Sequence, residues 1–267
     1  MNTFTIKKWQ LPILFFTLVM LFTACKKETN QPDPSPTVRP RLTKIEQNAN
    51  NFMLFGYTSK GYLNKFNAVN DIYSTEAHFG YDDHNKLIAG LMDDFEMEFV
   101  YQGAKLHRVK FSSVTDDSFE GDHYMEFTYT NGRVSKAVTF VKVDNDDYVP
   151  EIKYTYEYYT NGDLKTERSY YLVALPDEYA QSERVEYEYD NQINALQMVD
   201  EIAYVLHLYK STHNIKKITR YDAGNHLEET ISYSFNYNGF GLPTTGVENI
   251  TYPNSPVINR NVTYSYQ

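Results

Sequence analysis

The sequence predicts an all-β protein, an antiparallel meander of about eight hairpins curled into a barrel, a half-barrel or a two-layer sandwich. Three observations carry this. The 267 residues include 25 Tyr and 16 Phe, side chains that suit a pleated, half-buried surface better than a helix. Apolar and polar residues alternate with period two, as in Met125-Glu126-Phe127-Thr128-Tyr129, the pattern of a strand with one buried face. Gly or Asn recurs at fixed distances after an aromatic residue, where a hairpin needs positive φ.

The chain opens on a leader. Residues 1–24 carry Lys7 and Lys8 ahead of a short apolar run from Leu11 to Ala24 that contains Pro12, the layout of a signal peptide. Leu21-Phe22-Thr23-Ala24-Cys25 resembles the lipobox of bacterial lipoproteins, in which the leader is cut before a cysteine that receives lipid. The resemblance implies lipidation of Cys25 and anchoring at the outer membrane, on the cell surface or the periplasmic face. Cys25 is the one cysteine, so an internal disulfide framework and a cysteine-based metal site are ruled out. The one Trp, Trp9, also lies in the leader.

Residues 25–41 read as a lipidated cysteine and its tether. Pro32, Pro34, Pro36 and Pro40 hold neighbouring residues extended. Such a segment cannot bury a core and reaches up to roughly 50 Å at about 3.1 Å per residue. Lys26-Lys27-Glu28 looks like the charged export signals of Bacteroidetes surface lipoproteins.

Residues 42–267 read as one hairpin domain. In four places an aliphatic residue follows an aromatic by six positions: Tyr57 to Leu63, Tyr81 to Leu87, Tyr158 to Leu164 and Tyr221 to Leu227. Gly61, Asn85, Gly162 and Asn225 stand four after the aromatic, as a type I turn followed by a left-handed bulge residue requires. In three places the spacing is five: Tyr101 to Leu106, Tyr129 to Val134 and Tyr237 to Leu242. These predict two-residue loops at Gly103-Ala104, Asn131-Gly132 and Gly239-Phe240. The loop at Asn131-Gly132 sets Tyr129 opposite Val134, Phe127 opposite Lys136 and Met125 opposite Val138. The copy after Tyr189 lacks Gly, and the last strand, from Val262 to Tyr266, must pair with an earlier one. Short helices are conceivable only over residues 42–52 and 175–182, too little to cover a sheet face. The apolar face must therefore pack on itself.

YDDHNKL (Tyr81 to Leu87) and YDAGNHL (Tyr221 to Leu227) resemble the YD repeat of bacterial rearrangement-hotspot and teneurin-type proteins. The combination with a lipobox is more similar still to a set of uncharacterised Bacteroidetes lipoproteins with YD-like hairpins. Only Asp82, Asp190 and Asp222 follow the aromatic directly, and the array is too short for the toxin-enclosing shells that long YD arrays build.

Little in the chain points to catalysis. The formal net charge of −10 repels phosphate backbones and argues against a nucleic-acid partner. His78, His84, His107, His123, His207, His213 and His226 show no metal-ligand spacing. Asp144-Asn145-Asp146-Asp147 lacks the Gly of a calcium loop, and Asp93-Asp94 and the run Asp116, Asp117, Glu120 and Asp122 read as solvated turns. Glu96, Glu98, Glu126, Glu157, Glu186 and Glu188 occupy the same place in successive repeats, as an outward polar face requires. A pair of them would serve a glycoside hydrolase, the least favoured reading. No metal or cofactor is expected.

Two binding readings remain. Tyr124, Tyr159, Tyr170 and Tyr171 depart from the inward register or double it, and exposed rings of this kind stack on sugars or a partner protein. The resulting expectation is a lipid-anchored, non-catalytic surface for a glycan or protein. The alternative is a carrier holding an apolar or acyl ligand, which requires an unfilled cavity of several hundred Å³.

Overall fold

A computed structural model of the chain describes residues 40–114, 123–143, 147–175, 177–196, 200–205 and 211–267. The leader, Cys25 and nearly all of the tether lie outside the described residues. These residues hold sixteen strands: β1 Leu42–Asn48, β2 Asn51–Tyr57, β3 Leu63–Val69, β4 Ser74–Tyr81, β5 Leu87–Met92, β6 Phe95–Gln102, β7 Lys105–Ser113 and β8 His123–Thr130, then β9 Arg133–Lys142, β10 Tyr148–Tyr158, β11 Leu164–Ala174, β12 Glu178–Ile193, β13 His213–Asp222, β14 Leu227–Tyr237, β15 Pro243–Thr251 and β16 Ile258–Tyr266. One short helix, α1 Asp200–Val205, lies between β12 and β13. Residues 42–52, 175 and 177–182 form strands and turns, not helices.

Each strand pairs antiparallel with the next, and β16 pairs with β1, closing a barrel. The eight expected hairpins thus become a continuous meander in which each strand serves two neighbours. Arg41 and Gln267 exchange backbone hydrogen bonds of 3.0 Å in each direction across the seam. Closure removes the free edges that an open sheet of this size would expose.

The barrel is filled on one side. Phe55, Phe66, Phe79, Met97, Phe99, Val109, Phe111 and Phe127 point inward and join one buried cluster. A round barrel of sixteen strands would leave a wide channel. For these rings to be covered, facing walls must approach to about 10 Å, as in packed sheets. Glu96, Glu98, Glu126, Glu157, Glu186 and Glu188 take the outward positions. Several meet cations across the strands: Glu98 with Lys110 at 2.8 Å, Glu126 with Arg108 at 2.8 Å and Glu188 with Lys217 at 3.0 Å. Exposed pairs add little stability, but they make the outer wall hydrophilic.

The αL positions Gly61, Asn85, Gly162 and Asn225 have φ of 92°, 65°, 102° and 62°. Asn131 and Gly132, at 52° and 82°, form the expected type I′ turn. Two register readings are corrected. A bulge between Thr128 and Tyr129 keeps Tyr129 opposite Val134 but sets Phe127 against Ala137 and Met125 against Thr139. Lys136 is thereby turned into water, and Ala137, 0 % exposed, takes the inward place. The bulge spares the core a buried ammonium group. The turn after Tyr237 is not a two-residue loop at Gly239-Phe240. Gly241 carries the positive φ, 73°, and Tyr237 faces Pro243. Asn238 N–H donates to Leu242 O at 2.9 Å, the geometry of the six-residue class. The Tyr221–Leu227 turn has that geometry too, but sits at the opposite end of the barrel because β13 runs the other way.

The two ends therefore differ. Most of the aromatic-led turns share one rim with Leu42 and Gln267, here the turn rim. The other, the loop rim, carries exposed apolar residues, among them Ile72, Tyr73, Val173 and Leu175.

Candidate functional site

On the turn rim, five tyrosines fasten their strand to the strand or hairpin before it. Tyr57, Tyr81, Tyr158, Tyr189 and Tyr266 donate phenolic hydrogen bonds of 2.6–2.8 Å to the carbonyls of Leu42, Leu63, Val134, Leu164 and Pro243. The residue preceding the aliphatic often lays a cation over the next tyrosine: Lys86 over Tyr101 at 3.7 Å, Lys105 over Tyr129 at 5.0 Å and Arg133 over Tyr158 at 5.6 Å. The aromatic-to-aliphatic spacing thus builds a rim of interlocking turns.

The described part of the segment after β12 packs against the core at this rim and serves as its plug: Ala195 and Leu196 lie against the buried cluster. Ile202 and Val205 of α1 join the core cluster. Asp163, 0 % exposed, accepts from Thr212 N–H at 2.7 Å and lies 2.7 Å from His213 Nδ1. Asn194 Nδ2 donates to Ser211 Oγ at 3.0 Å. Ser211, His213 and Asp163 are near one another, but Ser211 Oγ donates to the backbone carbonyl of His213 at 2.8 Å. A nucleophile would need the imidazole, so these residues serve to pin the plug. The sequence held no signal for Asp163, because its partners lie about fifty residues away.

Beneath the plug the lumen is not filled. A cavity of about 270 Å³ is walled by Ile45, Met53, Leu196, Ile215, Ile218, Phe235 and Val262, with Gln47, Asn194, Asn214, Tyr233, Glu248 and Tyr264 as its polar members. Gln47 Nε2 donates to Glu248 Oε2 at 2.9 Å, and Arg260 Nη1 lies 3.6 Å from the same oxygen. Burial pushes the phenols of Tyr233 and Tyr264 up, and the Glu248 carboxylate adds to it. Both remain neutral hydroxyls at ordinary pH. Arg220 pairs with Glu183 at 2.9 Å and Glu229 at 3.1 Å on the inner face nearer the loop rim.

The four tyrosines singled out in the sequence do not converge. Tyr124 lies on the outer wall, stacked on Phe140 at 4.7 Å with Arg108 at 3.9 Å. Tyr170 is also outside, with Lys153 at 4.6 Å from its ring. Tyr171 is exposed near the loop rim. Tyr159 sits at the turn rim and donates to Tyr187 O at 3.0 Å.

Among the described residues no group of three or more His, Cys, Asp or Glu is placed to hold a metal ion. His78 pairs with Glu76 at 2.6 Å, His226 with Asp222 at 2.9 Å, and His123 stacks on Phe111 at 4.5 Å. His207, Asp144 to Asp146 and the run from Asp116 to Asp122 lie outside the described residues. Asp93 Oδ1 accepts from Glu76 N–H at 2.9 Å and so fastens a turn.

No family model and no curated protein matches the sequence. Solved structures do. A porin-like protein from Bacteroides vulgatus ATCC 8482 matches with TM-score 0.56 and 14% identity, covering 85% of this chain and 99% of that one. A porin-like protein from Bacteroides uniformis ATCC 8492 matches with TM-score 0.51 and 12% identity, covering 85% and 95%. At these identities the likeness is one of fold, an all-β barrel of the same kind. The TcdB2-TccC3 structure gives a TM-score of 0.33 at 12% identity, over 81% of this chain and 14% of that chain, below what marks a common fold.

Proposed function

We propose that the chain is a lipid-anchored, non-catalytic binding protein of the outer membrane whose barrel stands in water and holds a small apolar group in its lumen. The cavity carries this reading. About half of its lining is aliphatic, the amides of Gln47, Asn194 and Asn214 and the Glu248 carboxylate stand among these side chains, and it approaches the size of small-molecule sites. Of the two binding readings it favours the carrier over an outer tyrosine surface, whose rings already stack on one another and on cations.

The membrane address rests on the lipobox-like Cys25 and its Pro-rich tether, with the porin-like Bacteroides neighbours in support. The wall argues for a barrel beside the bilayer. A membrane-spanning barrel turns an apolar band outward and a polar face inward. Here Glu98, Lys110, Glu126, Arg108 and Lys217 face out while Phe99, Val109 and Phe127 face in.

Calorimetric titration of the full chain in phosphatidylcholine nanodiscs with 1-octanol, empty discs subtracted, tests the proposal. Saturable one-to-one binding that is lost in Ile218→Phe, which fills the cavity, is expected. Non-saturating heat equal in both proteins would overturn it.

A further inference from the structure

The cavity has a polar annex. β16 outruns its neighbour: Glu46 pairs with Thr263, β1 ends at Asn48, and residues 258–260 pair with β15 beyond that point. The short β1–β2 hairpin leaves a notch of about 310 Å³ in the wall, lined by Gln47, Asn48, Asn51, Asp71, Asn259, Arg260 and Asn261. Apart from aliphatic stems, all of these side chains end in amide, carboxylate or guanidinium groups.

Three of them hold bonds within the wall, and Asp71 keeps its second carboxylate oxygen for a ligand. Asn48 Oδ1 caps Asn50 N–H at 2.8 Å, and Asn51 Nδ2 donates to Asp71 at 2.9 Å. Asn259 and Asn261 face outward from β16, and their side chains make no hydrogen bond to the described residues. Gln47 belongs to both spaces, since it lines the notch and the cavity alike. Arg260 likewise reaches from the notch to Glu248 on the cavity wall. The two spaces thus adjoin at Gln47 and Glu248, aliphatic on the lumen side and amide-lined at the notch.

Resting on the carrier reading above, we infer that the ligand is amphipathic, an alkyl or acyl chain joined to a sugar-like polyol. The chain would lie among Ile45, Met53, Ile215 and Val262. The hydroxyls would meet Gln47, Asp71, Asn259 and Asn261, whose amides both donate and accept. A purely apolar ligand would leave the amide groups idle. A free sugar would leave the aliphatic walls wet and gain little from burial. A carboxylate head would meet two acids, Glu248 and Asp71, against the one guanidinium of Arg260, which already lies 3.6 Å from Glu248.

The test compares three probes on the full chain in nanodiscs: n-octyl-β-D-glucoside, 1-octanol and D-glucose. Octyl glucoside is expected to bind at least tenfold more tightly than octanol, with glucose undetectable. In the Asn259→Ala, Asn261→Ala double variant, which alters only exposed side chains of β16, that advantage is expected to fall below about twofold. Equal binding of octanol and octyl glucoside overturns the inference and leaves the apolar carrier standing. No saturable binding of either overturns both, and glucose binding as tight as octyl glucoside overturns the amphipathic ligand in favour of a simple sugar site.

Discussion

The phenol of Tyr81 donates a 2.7 Å hydrogen bond to the carbonyl of Leu63, joining the end of one hairpin to the return strand of the hairpin before it. Tyr57 repeats the contact between β2 and β1, where Leu42 O accepts at 2.8 Å. Repeated round the rim, this bond gives the aromatic at the turn a task beyond hydrophobic burial. It satisfies a carbonyl where the bulge interrupts the ladder.

Tyr81→Phe keeps the ring and removes the hydroxyl, so it isolates the latch. A loss of about 1 kcal/mol is expected, read from urea unfolding. Tyr57→Phe should cost a similar amount, since it joins β2 to β1 by the same bond. No change in either variant would mean that the carbonyls find water instead.

Alkaline pH should unfold the barrel cooperatively. Burial pushes Tyr57 up to about 12, against a smaller opposing effect of Arg41, and raises Tyr233, Tyr237, Tyr264 and Tyr266 as well. A group whose pKa is higher folded than unfolded contributes its stability in full below the unfolded value, near 10, and loses it as pH rises through the folded value. Melting temperature should thus feel nothing from these groups between pH 7 and 9 and fall steeply from pH 10 to 12. Tyrosinate absorbance should rise together with loss of the fold. Ionisation of all the tyrosines near pH 10 with the barrel intact would contradict the burial of these rings.

The turn after Tyr237 offers a sharp comparison. Gly241 has φ +73° and an added Cβ would meet Gln192 Oε1 at 2.9 Å, whereas nothing lies within 4 Å of one at Gly239. Gly241→Ala should cost about 1–2 kcal/mol and Gly239→Ala a few tenths of that. The reverse order in chemical denaturation would restore a two-residue loop at Gly239-Phe240.

Much of the architecture could be read from the chain because it is local. The offset from Tyr57 to Gly61 and Leu63 defines a turn and a shared face without reference to any distant residue, and the outward Glu96, Glu98 and Glu186 follow from the alternation. Closure was less visible, because pairing of β16 with β1 depends on the number and stagger of all the strands between them. The bulge beside Tyr129 was hidden, since only a packed core penalises Lys136 enough to rotate it outward. The lumen was hidden for a related reason. In Gly246-Val247-Glu248 the alternation of hydropathy favours Val247 as the inward residue, yet Glu248 faces in, held by Gln47 from the far end of the sequence. The notch exists only because two hairpins of unequal length become neighbours on closure.

Cysteine labelling along β6 tests the water-facing wall most directly. In a Cys25→Ser background, Glu96→Cys, Met97→Cys, Glu98→Cys and Phe99→Cys would each be treated with a membrane-impermeant charged maleimide in the presence of phosphatidylcholine vesicles. Rapid labelling at 96 and 98 with protection at 97 and 99 is the expected result. Protection at 96 and 98 by lipid, with 97 and 99 labelled from a wet lumen, would make the chain a membrane-spanning channel and contradict the account.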